Sequence, residues 1–208
     1  RIKGGQQHNL GDELKKAIGF LASLVWESIG DVVIAARDAM GWLQRTARAL
    51  GKDNLPMHWT APSGFVAYQM YPDMKSKLLR TRISGSMAKL RIYDEVDQIN
   101  AAKQATSISP NYVHSMDAAA MILTVAKLAD QGLTAFAMIH DSYGTHACNT
   151  SLLASTLREV FVDMYKRDPL ALLRREITAT CGNDEVEALP PKGALDLDDV
   201  LTSDFFFA

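Results

Sequence analysis

The sequence has little cysteine and no long apolar run, and both shortages narrow the possible classes of protein. Cys148 and Cys181 are the only cysteines in 208 residues, with no Cys-x-x-Cys pair and no histidine at ligand spacing. Neither a disulfide framework nor a structural zinc site is therefore expected. No apolar run approaches the roughly 20 residues that a membrane-spanning helix needs, and a signal-peptide core is missing. We expect a soluble protein of a reducing compartment, without a membrane partner.

The remaining composition is that of a globular chain, with 48% hydrophobic and 22% charged residues and a net charge of −2. The charge is divided unevenly, because residues 1–114 carry 15 basic and 10 acidic side chains, whereas residues 115–208 carry 7 and 14. Halves of opposite sign indicate different partners, and a basic half suits nucleic acid. The chain begins at Arg1 rather than Met, so we expect the natural N-terminus to lie upstream of a loop formed by residues 1–10.

Hydrophobic periodicity predicts a helix-rich α+β chain. Helical spacing favours one long helix from Asp12 to Leu50, with a kink or division at Gly30. The other predicted helices are Glu95 to Ala105, Pro110 to Gln131, Thr150 to Lys166 and Pro169 to Thr180. Strand-like runs cover Met57 to Thr60, Phe65 to Tyr71, a hairpin from Leu78 to Tyr93 around Ser84-Gly85-Ser86, and a buried strand from Leu133 to Ile139.

The polar triplet His140-Asp141-Ser142 follows the buried strand and precedes another strand-like stretch. Side chains alternate along a strand, so Asp141 is expected to point away from His140 and Ser142. Neighbouring strand residues cannot converge into a hydrolase triad. A carboxylate at a hairpin tip is instead suited to a hard cation such as Mg²⁺, although the alternative that Asp141 is only a turn residue stays open.

Three segments carry a resemblance to a known family: Ile108 to Asp117 (ISPNYVHSMD), Phe136 to Thr145 (FAMIHDSYGT) and the ending from Leu195 to Ala208. They resemble the C-terminal part of bacteriophage-type single-subunit DNA-dependent RNA polymerases, in order and over nearly the whole chain. The resemblance implies a partial right-hand polymerase fold. Residues 1–114 would belong to the fingers and residues 115–208 to the C-terminal palm, which carries the catalytic hairpin.

The resemblance also implies roles for individual residues. Asp141 would be one of two catalytic aspartates that bind two Mg²⁺ ions. His140 and Ser142 would support the hairpin near the primer end, and His114 would lie near the nucleotide ribose. A lone histidine such as His114 is otherwise more often a helix cap or a core residue.

The basic hairpin, at about residues 75–93, has six basic side chains and no acidic one between Lys75 and Arg91. By resemblance it corresponds to the specificity loop that enters the promoter major groove, with Arg80, Arg82, Lys89 and Arg91 as candidate DNA contacts. A two-stranded ribbon fits that groove, and Arg can bind guanine O6 and N7 bidentately. The alternatives are a solvated strand or phosphate contacts without sequence information.

The resemblance implies that the second metal-binding aspartate and the triphosphate-binding helix lie upstream of this chain. Neither Asp117 nor Asp163 is expected to replace that aspartate, since each lies in a helical pattern. We therefore expect a piece of a DNA-directed RNA polymerase that is inactive alone.

Its partners would be promoter DNA, the template strand, the RNA transcript, ribonucleoside triphosphates and the missing N-terminal part. The expected location is the cytoplasm of a bacterial host, or alternatively a mitochondrion. The rival hypotheses are a related DNA polymerase palm, disfavoured by Ser142, and a non-catalytic DNA-binding module.

Overall fold

The computed structural model describes residues 11–83, 85–182 and 186–206 of the chain. The predicted N-terminal loop, the capping side chain of Asp12, Ser84 in the hairpin turn and the last two residues lie outside the described residues. Helices and small antiparallel sheets form the described part, as the sequence predicts. The helices are α1 (Gly11–Val32), α2 (Ile34–Lys52), α3 (Ala101–Asp130), α4 (Thr150–Lys166), α5 (Pro169–Cys181) and α6 (Asp199–Thr202), with a 3₁₀ turn at Ala147–Asn149. The strands are β1 (Met57–Thr60), β2 (Val66–Gln69), β3 (Pro72–Ile83), β4 (Ser86–Ile99), β5 (Ala137–Ile139) and β6 (Ser142–Gly144).

The predicted first helix is divided into α1 and α2 at Val33, three residues after Gly30, and the two parts are bent by 109°. Val33 lies between Val32 and Ile34, and such a β-branched run lowers helix propensity. Gly30 is buried beside the bend, and a Cβ there would meet the flexible side chain of Arg37, which would have to move aside. Among the described residues, no single helix is long and apolar enough to cross a membrane, and only the bent pair reaches that length and composition together.

The core forms where α2 and α5 pack around β1 and the middle of α3. Trp42 and Ala47 of α2 and Ile108 of α3 are almost completely buried. Further core residues come from β1, α3, α4 and α5: Met57, Trp59, Tyr112, Met116, Ala119, Met164, Leu173 and Ile177. The indole Nε1 of Trp42 donates a hydrogen bond to the carbonyl oxygen of Glu187 at 3.0 Å, which attaches the chain after α5 to α2.

Helix α3 corrects two predictions. Residues 95–99 belong to strand β4 rather than to a helix, and Pro110 lies inside α3 instead of opening a helix. The helix begins after Asn100, whose side chain accepts a hydrogen bond from the backbone of Lys103 at 2.9 Å. Proline removes one backbone donor, but Asn111 beside it donates to Gln69 and to Tyr71. Tertiary contacts beside Pro110 therefore override the local signal for a helix start.

The strand predicted from Leu133 to Ile139 is shorter and more exposed than expected. Only Ala137–Ile139 pairs with β6, and 69% of Ile139 is exposed. The apolar run therefore does not mark a strand buried within the described residues.

Candidate active site and nucleic-acid interface

The candidate catalytic residue lies in a two-residue turn. Ile139 pairs with Ser142, so His140 and Asp141 connect the strands, and His140 adopts a left-handed backbone conformation with φ +54°. Asp141 therefore lies in the turn of the short hairpin formed by β5 and β6. This arrangement corrects the expected alternation, because His140 and Asp141 are turn residues rather than successive strand residues.

The turn faces the middle of α3 across an open cleft of about 750 Å³. His140 and Asp141 line one side, and His114 and Asp117 line the other. His114 and Asp117 are three residues apart on a helix and therefore share a face. His114 is exposed in the middle of α3, so it is neither a helix cap nor a core residue. The structure thus brings three of the predicted site residues together and adds Asp117.

A second, adjoining pocket of about 370 Å³ contains Ser142. It is lined by Asp141 and Tyr143 of the hairpin, by α4 and by Phe206. Arg158 of α4 lies in this pocket, donates to the carbonyl oxygens of Val200 (2.7 Å) and Ser203 (2.6 Å), and stacks on Phe206 with 5.4 Å to the ring centroid. Ser142 therefore lines a different pocket from His114, and Phe206 lines the same pocket as the hairpin residues.

The acidic side chains affect the neighbouring phenols. Burial raises the pKa of Tyr143, and the negative charges of Asp117 and Asp141 raise it further. Burial likewise raises the pKa of Tyr165 in α4, with a smaller contribution from Asp117. Both phenols therefore stay protonated at neutral pH beside a negatively charged cleft.

The predicted basic hairpin is a long two-stranded ribbon formed by β3 and β4. Arg80 pairs with Lys89, Arg82 with Met87, and Arg91 with Leu78. Alternate positions of a strand share a face, so all four candidate DNA contacts lie on one face of the ribbon. An ion pair joins Lys77 to Asp94 at 2.6 Å, nearer the base of the ribbon.

A cationic ribbon face and a carboxylate at a hairpin turn occur together in one chain, and comparison with known proteins explains this combination. The family model described as DNA-dependent RNA polymerase matches residues 2–187. The chain belongs to this family. The resemblance to single-subunit RNA polymerases that the sequence indicated is therefore confirmed.

Curated members of the polymerase family match most of this chain. DNA-directed RNA polymerase 1B, mitochondrial, of Nicotiana tabacum is 34% identical over 196 residues, which are 94% of this chain and 19% of the relative. DNA-directed RNA polymerase 2, chloroplastic/mitochondrial, of Arabidopsis thaliana is 33% identical over 205 residues, which are 97% of this chain and 20% of the relative. DNA-directed RNA polymerase 2A of Nicotiana tabacum is 33% identical over 195 residues, which are 94% of this chain and 57% of the relative. The chain thus spans about a fifth of the length of most of these relatives.

The polymerase hairpin fits a magnesium ion only in part. Asp141 is exposed in the cleft and offers the oxygen ligands that Mg²⁺ prefers. Across the described ranges, however, no group of three or more His, Cys, Asp or Glu side chains could hold a metal ion. Asp141 could therefore serve as one ligand, but the described residues do not form a complete site around it.

Sequence analysis missed two residues of this candidate site. Asp117 was set aside as a helical residue, although its spacing of three from His114 places it on the face toward the hairpin. Arg158 carried no sequence signal, because its hydrogen-bond partners are backbone carbonyls more than 40 residues away in the chain.

Proposed function

We propose that the chain is part of a DNA-directed RNA polymerase and supplies one carboxylate, Asp141, of its nucleotidyl-transfer site. The observation that carries the proposal is the cleft in which Asp141 and His140 face His114, in a chain that matches this family over residues 2–187. The reaction is attack of an RNA 3′ hydroxyl on the α-phosphate of a ribonucleoside triphosphate, with release of pyrophosphate.

Each residue of the cleft is proposed to have its own role in positioning the reactants. Asp141 would hold a cation through its carboxylate at the turn, and His114 would face the nucleotide ribose from α3. His140 fixes the turn, while Ser142 supports the hairpin from the adjoining pocket near the primer end. Two bound Mg²⁺ ions would activate the attacking hydroxyl and stabilise the charge that develops on the leaving pyrophosphate.

The ribbon of β3 and β4 is proposed as the promoter-reading element. Arg80, Arg82, Lys89 and Arg91 present one cationic face, which suits the major groove of double-stranded promoter DNA. The remaining partners are the template strand, the RNA transcript, the ribonucleoside triphosphates and the rest of the polymerase, which carries the second metal-binding aspartate.

We further propose that residues 1–114 are fingers material and residues 115–208 palm material of a right-hand polymerase. The boundary falls inside α3, so that one continuous helix would connect the two segments. The names of the plant relatives support the mitochondrial or another organellar location over the cytoplasm of a bacterial host.

The Asp141→Asn variant of the complete polymerase tests the catalytic proposal. The substitution keeps the shape but removes the negative charge that a hard cation requires. Single-turnover extension of a preformed primer should fall by orders of magnitude, because each roughly 1.4 kcal/mol of lost transition-state stabilisation is about tenfold in rate. Promoter affinity should change little, since it depends on the distant cationic ribbon.

The same variant separates the alternatives. A turn residue without a catalytic role would give a modest loss of stability and normal extension by each folded molecule. Near-normal extension with normal promoter binding would remove Asp141 from the active site and favour a non-catalytic DNA-binding module.

A further inference from the structure

The ribbon of β3 and β4 has a second face that the proposed promoter contacts do not use. Leu79 pairs with Leu90, Thr81 with Ala88, and Lys77 with Ile92. These positions alternate with those of the four cations, so they lie on the opposite face. From Leu79 to the tip this face has no charged residue. The ribbon therefore combines a cationic face with an apolar one.

The apolar face is open within the described chain. Exposed fractions are 47% for Leu79, 45% for Leu90, 42% for Ile92 and 53% for Ile83. Apart from pairing with each other, β3 and β4 have no extensive packing against another described element. The base of the ribbon is attached to the chain after α2, where the backbone N–H of Ile99 donates to Asn54 Oδ1 at 2.7 Å. The two ends of the ribbon are also joined to each other, because the Asn100 side chain donates to Asp73.

Such a ribbon needs a support. An isolated two-stranded hairpin is marginally stable in water, and packing of one face against another element is what makes it independently stable. A row of exposed apolar side chains rimmed by charge is also typical of an interaction site. Phosphates cannot cover this face from Leu79 to the tip, because its two cations, Lys75 and Lys77, lie nearer the base, and Lys77 is paired with Asp94.

We propose that the apolar face of the ribbon docks on an apolar protein surface of the same polymerase, outside these 208 residues. The occupant follows from length, because this chain covers only 19% of the mitochondrial relative while 94% of the chain itself is matched. Docking fixes the ribbon so that its cationic face points outward. This orientation rests on the proposed promoter-reading function, whereas the docking itself rests on family membership and on the two faces.

Two adjacent cross-strand pairs of the ribbon provide matched variants of the complete polymerase. The double variant Leu79→Ser with Leu90→Ser alters the apolar face, and Arg80→Ser with Lys89→Ser alters the cationic face. The first measurement is hydrogen exchange of the backbone amides of β3 and β4 without DNA. The second is promoter affinity as a function of salt concentration.

Docking predicts slow exchange in the unaltered ribbon, faster exchange by about tenfold or more in the apolar-face variant, and no change in the cationic-face variant. The apolar-face variant should lose promoter affinity with an unchanged salt slope. The cationic-face variant should lose affinity with a slope reduced by up to about 2, since each phosphate contact contributes roughly 0.9. Replacing both leucines by methionine should preserve protection, which shows that apolar contact is responsible.

Three results would overturn the docking proposal: unprotected amides in the unaltered ribbon, equal protection in both serine variants, or protection that appears only as the polymerase dimerises. The last result would assign the face to a second copy. If only the apolar-face variant loses protection and neither variant changes promoter affinity, docking stands and the promoter-reading function fails. Thermal unfolding of each variant provides the check that the core is intact.

Discussion

At the scale of single residues, the cleft makes Asp117 a candidate site residue. The sequence places it in a helical pattern, yet the structure sets it opposite Asp141 and one helical turn from His114. Its negative charge also contributes to the raised pKa of Tyr143. A carboxylate in this place increases the negative potential that a cation at Asp141 would experience.

We therefore expect Asp117→Asn in the complete polymerase to raise the Mg²⁺ concentration required for half-maximal primer extension. The increase should be about 1.4- to fivefold, because an exposed charge pair contributes roughly 0.2–1 kcal/mol. Promoter affinity should be unchanged. Magnesium titrations of extension rate provide the measurement.

Asp130→Asn is the matched control for this prediction, because Asp130 is an exposed aspartate at the far end of α3. It should leave the magnesium requirement unaltered. An equal shift in both variants would assign the effect to general charge rather than to the position of Asp117.

At the scale of elements, the ribbon was predictable and α3 was not. Alternation and a Ser-Gly-Ser turn are local signals, and they predict the half of the ribbon near its tip, although β3 and β4 extend beyond the predicted hairpin to Pro72 and Ile99. Pro110 is also a local signal, but it indicated a helix start where the structure has a helix interior. The contacts of Asn111 with Gln69 and Tyr71, which join residues about 40 positions apart, decide the outcome. Single-sequence patterns carry no information about such contacts.

The two faces of the ribbon give a test of promoter reading at single positions. If Arg82 binds guanine bidentately, Arg82→Ala should cost about 1–3 kcal/mol at one base pair and relax the preference there. A phosphate contact would instead weaken all sequences alike and reduce the salt slope. Promoter affinity across single-base variants distinguishes the two kinds of contact.

Lys77→Ala is the control on the opposite face of the same strand, and it should change promoter affinity much less. Extension of a preformed primer should stay near normal for Arg82→Ala. Equal losses in initiation and in primer extension would show that the ribbon is not a specificity element.

The junction of α2 and α3 gives a prediction about stability. A Cβ at Gly51 would lie 2.9 Å from the Cα of Ala101 and 3.1 Å from its Cβ, so the two helices approach closely only because this residue is glycine. Gly51→Ala should lower the free energy of unfolding by about 1–3 kcal/mol, the usual cost of overpacking. Denaturant unfolding measures this change.

Gly41→Ala in the same helix is the comparison, because the nearest atom to its Cβ, at 3.1 Å, is the end of the flexible Arg45 side chain. It should stabilise α2 by about 0.5–1 kcal/mol through higher helix propensity. A similar decrease in the free energy of unfolding in both variants would show that the contact with Ala101 is not the reason why Gly51→Ala destabilises the protein.

At the scale of the whole molecule, the sequence motifs identified the family but did not predict how exposed the motif residues and their neighbours are. The segments around His114 and Asp141 supported the resemblance, and the family match over residues 2–187 confirms it. The apolar run before His140 suggested a buried strand, yet 69% of Ile139 is exposed. Sequence reports that a residue is apolar, but not whether the surface covering it belongs to the same 208 residues.

The open surfaces lead to the prediction that this chain alone makes no RNA. One side of the active-site cleft is formed by a hairpin whose residue Ile139 is largely exposed, and the described residues contain no group of three ligands for a metal ion. A single carboxylate, even with Asp117 nearby, leaves the cation without enough fixed ligands, since Mg²⁺ requires near-octahedral coordination. Incorporation of labelled ribonucleotides on a DNA template by the purified chain should therefore stay at background at any magnesium concentration.

Circular dichroism must show the helical content of a folded chain, so that misfolding is not mistaken for inactivity. Addition of the remaining polymerase segments should restore synthesis with unaltered Asp141 but not with Asp141→Asn. Template-dependent synthesis by the chain alone would place a complete active site within these 208 residues and contradict the proposed division of ligands.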